Sequence, residues 1–232
     1  MIRLIFISDT HGKHSQLTND LLTLNDGVTT IILHAGDVSD MGREHQIKSF
    51  LEWYAALPFK HKIFIAGNHD WGFEKMHDIP WTYKDKGVIY LMDSMVSVEG
   101  LTIYGSPWQP RFYDWAFNVD RNRLDEKWKM IPEGMDIIMT HGPVHGILDY
   151  TPTYMSVGCE ILRDKIIELQ PKIYASGHIH FARGIKPFGD TLFINASSLD
   201  EEYQYRNKPI VVELDEDKNI TEYYSLDEYY KL

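Results

Sequence analysis

Short runs of aliphatic and β-branched residues recur along the chain and alternate with amphipathic stretches. Residues 4–7, 30–33, 62–65, 137–139 and 173–175 are apolar without strict alternation, the pattern of strands covered on both faces. Between them, residues 42–57 (Ile47, Phe50, Leu51, Tyr54) and 156–169 (Ile161, Leu162, Ile166, Leu169) carry apolar positions at helical spacing. Pro58 and Pro171 lie just beyond these two stretches, as helix stops should. Residues 88–91, 95–98 and 101–104 are closely spaced short strands with Glu99-Gly100 as the last turn, which predicts an antiparallel section and a mixed sheet system. Residues 191–194 and 209–214 read as late strands. No linker, repeat or break in composition divides the chain. One α/β domain over residues 1–232 is therefore expected, with a peripheral, Tyr-rich tail from about 214 that adds a strand and a loose end.

Composition narrows the function classes. With 232 residues and 44% hydrophobic content, the chain can bury one large core. Its 34 acidic and 23 basic residues give a formal charge of −11, which disfavours general binding to nucleic-acid polymers or anionic membranes. Attraction for a phosphate must then be local, and bound cations can supply it. Cys159 is the single cysteine, so no intrachain disulfide forms, which suits a reducing compartment. No apolar run approaches the ~18–20 residues of a membrane span. The first strand runs straight into polar motif residues rather than a cleavage site. A soluble cytoplasmic protein is expected.

The candidate chemistry lies just after the apolar runs. Asp9-Thr10-His11, Gly36-Asp37, Gly67-Asn68-His69-Asp70, His141-Gly142 and Gly177-His178-Ile179-His180 follow strands in this order. They offer seven oxygen or imidazole donors: Asp9, His11, Asp37, Asn68, His141, His178 and His180. In an extended chain, residues i and i+2 project to the same face, so Asp9 with His11, and His178 with His180, can each reach one point. Gly36 and Gly67 permit the sharp turns that bring backbone close to an ion. One carboxylate can bridge two cations about 3.5–4 Å apart. The donor set contains no thiolate, which excludes a Cys-type structural zinc site and suits Mn²⁺, Fe²⁺ or Zn²⁺. A single His or Asp in a loop is usually a solvated or turn residue. Five motifs in one context, at the strand ends where α/β sheets form their sites, outweigh that reading.

These motifs, in this order, resemble the calcineurin-like metallophosphoesterases, over nearly all of residues 2–200. The likeness is closer still to the small metallophosphoesterase-domain proteins of animals and their microbial relatives. It extends to idiosyncratic strings such as Leu57-Pro58-Phe59-Lys60-His61-Lys62-Ile63, Ile103-Tyr104-Gly105-Ser106-Pro107-Trp108 and Ile194-Asn195-Ala196-Ser197. The resemblance implies a four-layer α-β-β-α sandwich of two mixed sheets flanked by helices. It implies two divalent cations, Mn²⁺ first and Fe²⁺ or Zn²⁺ as alternatives. One would be held by Asp9, His11, Asp37 and His180, the other by Asp37, Asn68, His141 and His178, with Asp37 bridging. Some animal relatives carry Gly at the first His of Gly-His-x-His; His178 is present here, so both sites should fill. Asp40 stands where purple acid phosphatases need Tyr, which argues against a ferric–phenolate centre.

The activity implied is in-line hydrolysis of a phosphoester by a metal-bridging hydroxide, with small nucleotide-like phosphodiesters as the favoured substrates. His69 is the candidate general acid. Asp40 matches the family position that supports this imidazole, against the alternative of a helix cap. Arg43 is a candidate phosphate clamp, as an Arg just beyond this motif is in related phosphatases. Asn195 is a second candidate substrate contact, or only closes a turn. His14, His34 and His145 also lie in motif segments. Trp108, Phe112, Trp115 and Phe117 form either a core cluster or a wall that stacks a base. Cys159 reads as a buried residue at a helix start. A phosphomonoesterase or protein phosphatase keeps the same chemistry with another substrate. A nuclease ranks lower for want of a basic stripe. A non-catalytic scaffold of this fold is expected to have lost ligands, and none is missing.

Overall fold

The computed structural model describes residues 1–75 and 80–229. Its strands are β1 (Ile2–Ile7), β2 (Thr29–Ala35), β3 (His61–Ile65), β4 (Val88–Tyr90), β5 (Ser94–Val98), β6 (Leu101–Ser106), β7 (Gln109–Pro110), β8 (Asn118–Val119), β9 (Ile137–Thr140), β10 (Ile173–Ser176), β11 (Gly184–Phe188), β12 (Thr191–Asn195), β13 (Ile210–Leu214) and β14 (Ile220–Ser225). The helices are α1 (Thr18–Thr23), α2 (Glu44–Ala56), α3 (Trp71–Glu74), α4 (Trp81–Lys84), α5 (Asp125–Trp128), α6 (Glu160–Leu169) and α7 (Leu226–Tyr229).

Two six-stranded mixed sheets form, in the orders β14-β13-β1-β2-β3-β4 and β11-β12-β10-β9-β6-β5. In the first, β1 to β4 run parallel and β13 joins β1 antiparallel. In the second, β6, β9, β10 and β12 run parallel, while β5 and β11 close the edges antiparallel.

The unbroken apolar runs follow from the layering. Leu4, Phe6, Ile31, Leu33, Ile63 and Ile65 of the first sheet meet Ile103, Ile137, Met139, Ile173 and Ile194 of the second in a core between the sheets. The alternate residues Ile5, Ile32 and Phe64 point outward onto Phe50, Leu51 and Tyr54 of α2. Ile138, Tyr174 and Phe193 likewise meet Trp128, Leu162 and Ile166 beside α5 and α6. Both faces of each central strand are thus covered, which removes the alternation expected of a half-exposed strand. Among the described residues, no helix is long and apolar enough to cross a membrane.

Two expectations change. The three closely spaced strands do not form one antiparallel section: β4 pairs parallel with β3 in the first sheet. Only β5 and β6 form a hairpin, turning at Glu99 and Gly100 with φ of 50° and 76°. The chain crosses between sheets around Asp93, itself at φ 48°. The second long helix starts at Glu160 rather than 156, because Cys159 is its N-cap and its Sγ accepts from the Leu162 N–H. The strand expected in the tail from 214 is β14, which pairs with β13 at the sheet edge, and Leu226 beyond it is buried. The end expected to be loose includes residues 230–232, which lie outside the described residues.

Candidate metal centre

The parallel strands of both sheets end on one edge, and the turns that follow carry the seven donors. Asp9 follows β1, Asp37 follows β2, Asn68 follows β3, His141 follows β9, and His178 and His180 follow β10. Asp9, His11, Asp37 and His178 have φ of 51°, 41°, 55° and 68°. The two i, i+2 pairs therefore converge through left-handed turns, not by extending their strands. Such conformations are unfavourable for non-glycine residues and tend to persist at functional sites. Glycine makes the packing possible at two points. A Cβ on Gly67 would collide with the Asp37 carboxylate and backbone, and one on Gly177 would collide with Ser8 and Asp9.

Asp9, His11 and His180 bring ligand atoms within 4.8 Å of one another, as do Asp37, His141 and His178. A third group of this kind joins His11, Asp37 and His69. The spacings suit shared cations. Metal–ligand bonds of about 2.1 Å place neighbouring donors roughly 3.0–3.4 Å apart in octahedral or tetrahedral coordination. Nε2 of His141 lies 2.9 Å from Asn68 Oδ1 and 3.3 Å from Asp37 Oδ2. Nε2 of His11 lies 3.6 Å from Asp37 Oδ2 and 3.4 Å from His180 Nε2, which is 3.5 Å from Asp9 Oδ1.

The surrounding contacts orient these atoms. His141 Nδ1 meets the Ala35 carbonyl and His180 Nδ1 the Asp200 carbonyl, each at 2.9 Å. Each carbonyl accepts the Nδ1 proton and leaves Nε2 for the centre, the usual arrangement behind a metal-binding imidazole. Asp9 accepts from Ser197 Oγ at 2.9 Å and from the His178 N–H at 3.0 Å. Nδ1 of His11 is buried without a partner among the described residues.

Charge is distributed in a pattern that bound cations would relieve. Burial lowers His11 to about 4, and burial with the neighbouring His141 lowers His178 to about 3. Burial also works against the charged forms of His141 and His180. Asp37 nonetheless raises the first, and Asp9 the second, to about 9. Against the same burial, His180 holds Asp9, and His141 holds Asp37, below the ordinary carboxylate range. Two neutral and two proton-loaded imidazoles therefore surround two carboxylates.

The remaining candidates separate. His69 Nδ1–H donates to the Asp40 carbonyl oxygen, 2.7 Å away, while Asp40 itself is exposed. The expected support for this imidazole thus comes from the backbone of Asp40 and not from its carboxylate. Nor does Asp40 cap a helix: α2 begins at Glu44, with exposed Arg43 as its N-cap. Of the two roles expected for Asn195, substrate contact or turn closure, its contacts are those of a turn. It is fully buried, its amide donates to the Leu148 and Ile179 carbonyls, and its Oδ1 accepts from Ser197. It clamps the His178–His180 turn from behind.

His14 packs among Phe50 and Trp53, and His34 lies behind the site, 3.0 Å from Thr10 Oγ1. His145 is partly buried beside Ser156. The aromatic cluster divides. Phe117 is buried against Trp108, whose indole donates to Asp93. Trp115 stacks on His69, and Phe112 meets the ring of His178. Cys159 is buried at its helix start, where its Sγ also accepts from the Trp128 indole.

Two supporting residues stand outside the expected set. Asp70 is buried and accepts from Gly67 N, Val38 N, Ser39 N and Ser39 Oγ, stapling the Asp37 turn to the Asn68 turn. Burial and the charge of Asp37 raise it to about 6. Its signal in the sequence is its place in Gly67-Asn68-His69-Asp70. Tyr203 sets its ring against His11 and His180 with no motif to announce it.

Comparison with known proteins agrees with this geometry. Residues 2–182 match the family model for calcineurin-like phosphoesterases. Metallophosphoesterase domain-containing protein 1 of Homo sapiens is 40% identical over 242 residues, covering 94% of this chain and 72% of that protein. A UPF0046 protein of Caenorhabditis elegans is 32% identical over 232 residues, covering 92% of this chain and 81% of its own length. In fold alone, TT1561 of Thermus thermophilus superposes with a TM-score of 0.61 at 13% identity, over 97% of this chain and 98% of that one. Donor order, two-sheet architecture and sequence likeness lead to one assignment: this chain belongs to the calcineurin-like phosphoesterases, hydrolases whose phosphoester chemistry depends on divalent metal.

Proposed function

We propose that the chain hydrolyses small phosphodiesters of nucleotide-like size. Its cations would be held by Asp9, His11, Asp37 and His180 on one side and by Asp37, Asn68, His141 and His178 on the other. The observation that carries this reading is Asp37 Oδ2, which stands 3.6 Å from His11 Nε2 and 3.3 Å from His141 Nε2, facing both halves at once. Held there, two divalent cations, Mn²⁺ foremost, would supply positive charge for the phosphoryl oxygens and acidify water near neutral pH.

The chain's own groups do the rest. His141 and His180 present Nε2 because backbone carbonyls hold their Nδ1 atoms. Ser197 and the His178 N–H fix the Asp9 carboxylate. His69, with Nδ1 on the Asp40 carbonyl, keeps Nε2 for the leaving oxygen and delivers its proton there, a role worth roughly 10²–10⁴ in rate.

Room for two organic substituents supports a diester. A cavity of about 340 Å³, lined by residues that include Arg111, Phe112, Arg121 and Pro143, borders His178. A second, of about 230 Å³, borders both His178 and His180 and includes Pro152, Phe181 and Tyr203. Arg43 and Asn195 take no part in this reading.

The test is a panel of aryl diesters, cyclic nucleotides and the matching monoesters, with Mn²⁺ added to metal-stripped protein. Diester turnover should exceed monoester turnover by about tenfold or more, a gap of ~1.4 kcal/mol in barrier. Faster monoester hydrolysis would make the chain a phosphomonoesterase. Metal binding without turnover on any substrate would make it a scaffold.

A further inference from the structure

We infer that Trp115 is the positioning residue for the proton donor: its indole holds the His69 ring in the orientation that aims Nε2 at the leaving oxygen. This rests on the reading of His69 as proton donor. Among the described residues, His69 has one hydrogen bond from its ring, Nδ1 to the Asp40 carbonyl at 2.7 Å. A single bond leaves the ring free to pivot, because the terminal torsion of His is broad. Two further contacts remove that freedom. The Trp115 indole stacks on the imidazole with centroids 4.2 Å apart and planes 27° from parallel. His11 meets the same ring edge-on, with centroids 4.5 Å apart and planes at 86°. His11 belongs to the donor cluster, so Trp115 is the packing contact that serves His69 without serving a cation.

The loop that carries Trp115 is tied to the same backbone segment as His69. Ala116 N–H donates to the Asn68 carbonyl at 3.1 Å, and Phe117 N–H donates to Glu74 Oε1 at 3.1 Å. Phe117 takes φ 55° and buries its ring against Trp108. At the loop base, β7 pairs with β8. While Tyr113 is 84% exposed at the loop tip, Trp115 is turned inward and half-buried. The loop therefore moves with the Asn68-His69 turn, and stacking is maintained by attachment at both ends. Misplacement by about 1 Å of a group in the reacting geometry can cost ~10²-fold in rate.

Leaving-group dependence separates a positioning role from a packing role. Proton donation matters for a basic leaving alcohol and little for 4-nitrophenolate, which departs without help. The experiment measures kcat and KM for a series of phosphodiesters that differ only in the leaving alcohol or phenol. It uses wild type, His69→Ala, Trp115→Leu, Trp115→Phe and the His69→Ala/Trp115→Leu double variant, each with metal content and Tm recorded.

Trp115→Leu should lower kcat by roughly 10–100-fold on the most basic leaving group and leave 4-nitrophenyl turnover within about threefold, with KM and metal content unchanged. Trp115→Phe, which keeps a flat face, should recover most of the loss. Adding Trp115→Leu to His69→Ala should change little more, because both act through one proton. A uniform loss across the series, a loss of metal, or effects that multiply in the double variant would overturn the assignment of Trp115. If His69→Ala itself shows no leaving-group dependence, the proton-donor reading fails first, and that outcome is visible separately.

Discussion

The two halves of the donor cluster share Asp37 but are built from different materials. His141 is completely buried, its Nδ1 bonded to the carbonyl of Ala35 at the end of β2 and its Nε2 beside Asn68 at the end of β3. His180 has a side chain 10% exposed, and its Nδ1 bonds to the carbonyl of Asp200, a residue in an irregular segment. Tyr203, from the same segment, closes over His11 and His180. One half therefore rests on strand backbone that the two-sheet core fixes. In the other, Asp9 is fully buried after β1, but His180 rests on a surface loop, where local opening costs less than in the core. An equal number of His donors, two in each half, does not imply equal hold on a cation; the rigidity behind the donors differs.

The largest effect that bears on this comparison comes from the residue both halves share. Asp37→Ala should remove the hold on both cations and cut turnover by roughly three orders of magnitude or more, read as metal content after dialysis together with steady-state rate. Retention of one full equivalent would mean that the halves are independent. A smaller and more discriminating effect separates the halves. His180→Ala should keep close to one cation per chain, in the strand-backed half. His141→Ala should keep clearly less, since it opens the rigid half and leaves the loop-backed one alone. The reverse order would show that the loop segment, not the strand ends, anchors the centre.

Much of this was legible in the sequence for a physical reason. The central strands are covered on both faces, so Leu4, Phe6, Ile31 and Leu33 appear beside Ile5 and Ile32 as unbroken apolar runs. Donors sit immediately after those runs because the strand ends converge on one edge. What escaped was contact between distant segments and local backbone twist. Nothing in Asp9-Thr10-His11 or His178-Ile179-His180 signals left-handed φ values, so extended pairs were the natural expectation. Asp200 acts through a carbonyl oxygen, which every residue has, and so leaves no trace in residue type. Asp40 does the same toward His69. Asn195 was ambiguous because a polar residue after a strand fits either a substrate contact or a turn; its burial and its bonds to the Leu148 and Ile179 carbonyls are visible only in the fold.

The central claim is that one carboxylate joins two cation-holding halves, each with one imidazole charged beforehand. His141 and His180 are raised to about 9 and must shed a proton to bind metal, whereas His11 and His178, lowered to about 4 and about 3, are already neutral. Affinity for cations should therefore climb with pH from neutral to about 9 and then level off. The most direct test is a calorimetric titration of metal-stripped protein with Mn²⁺ near pH 7.5, in buffers of different ionisation enthalpy. The account predicts two equivalents bound, with about one proton released for each. A single equivalent, or two equivalents bound without proton release, would contradict it.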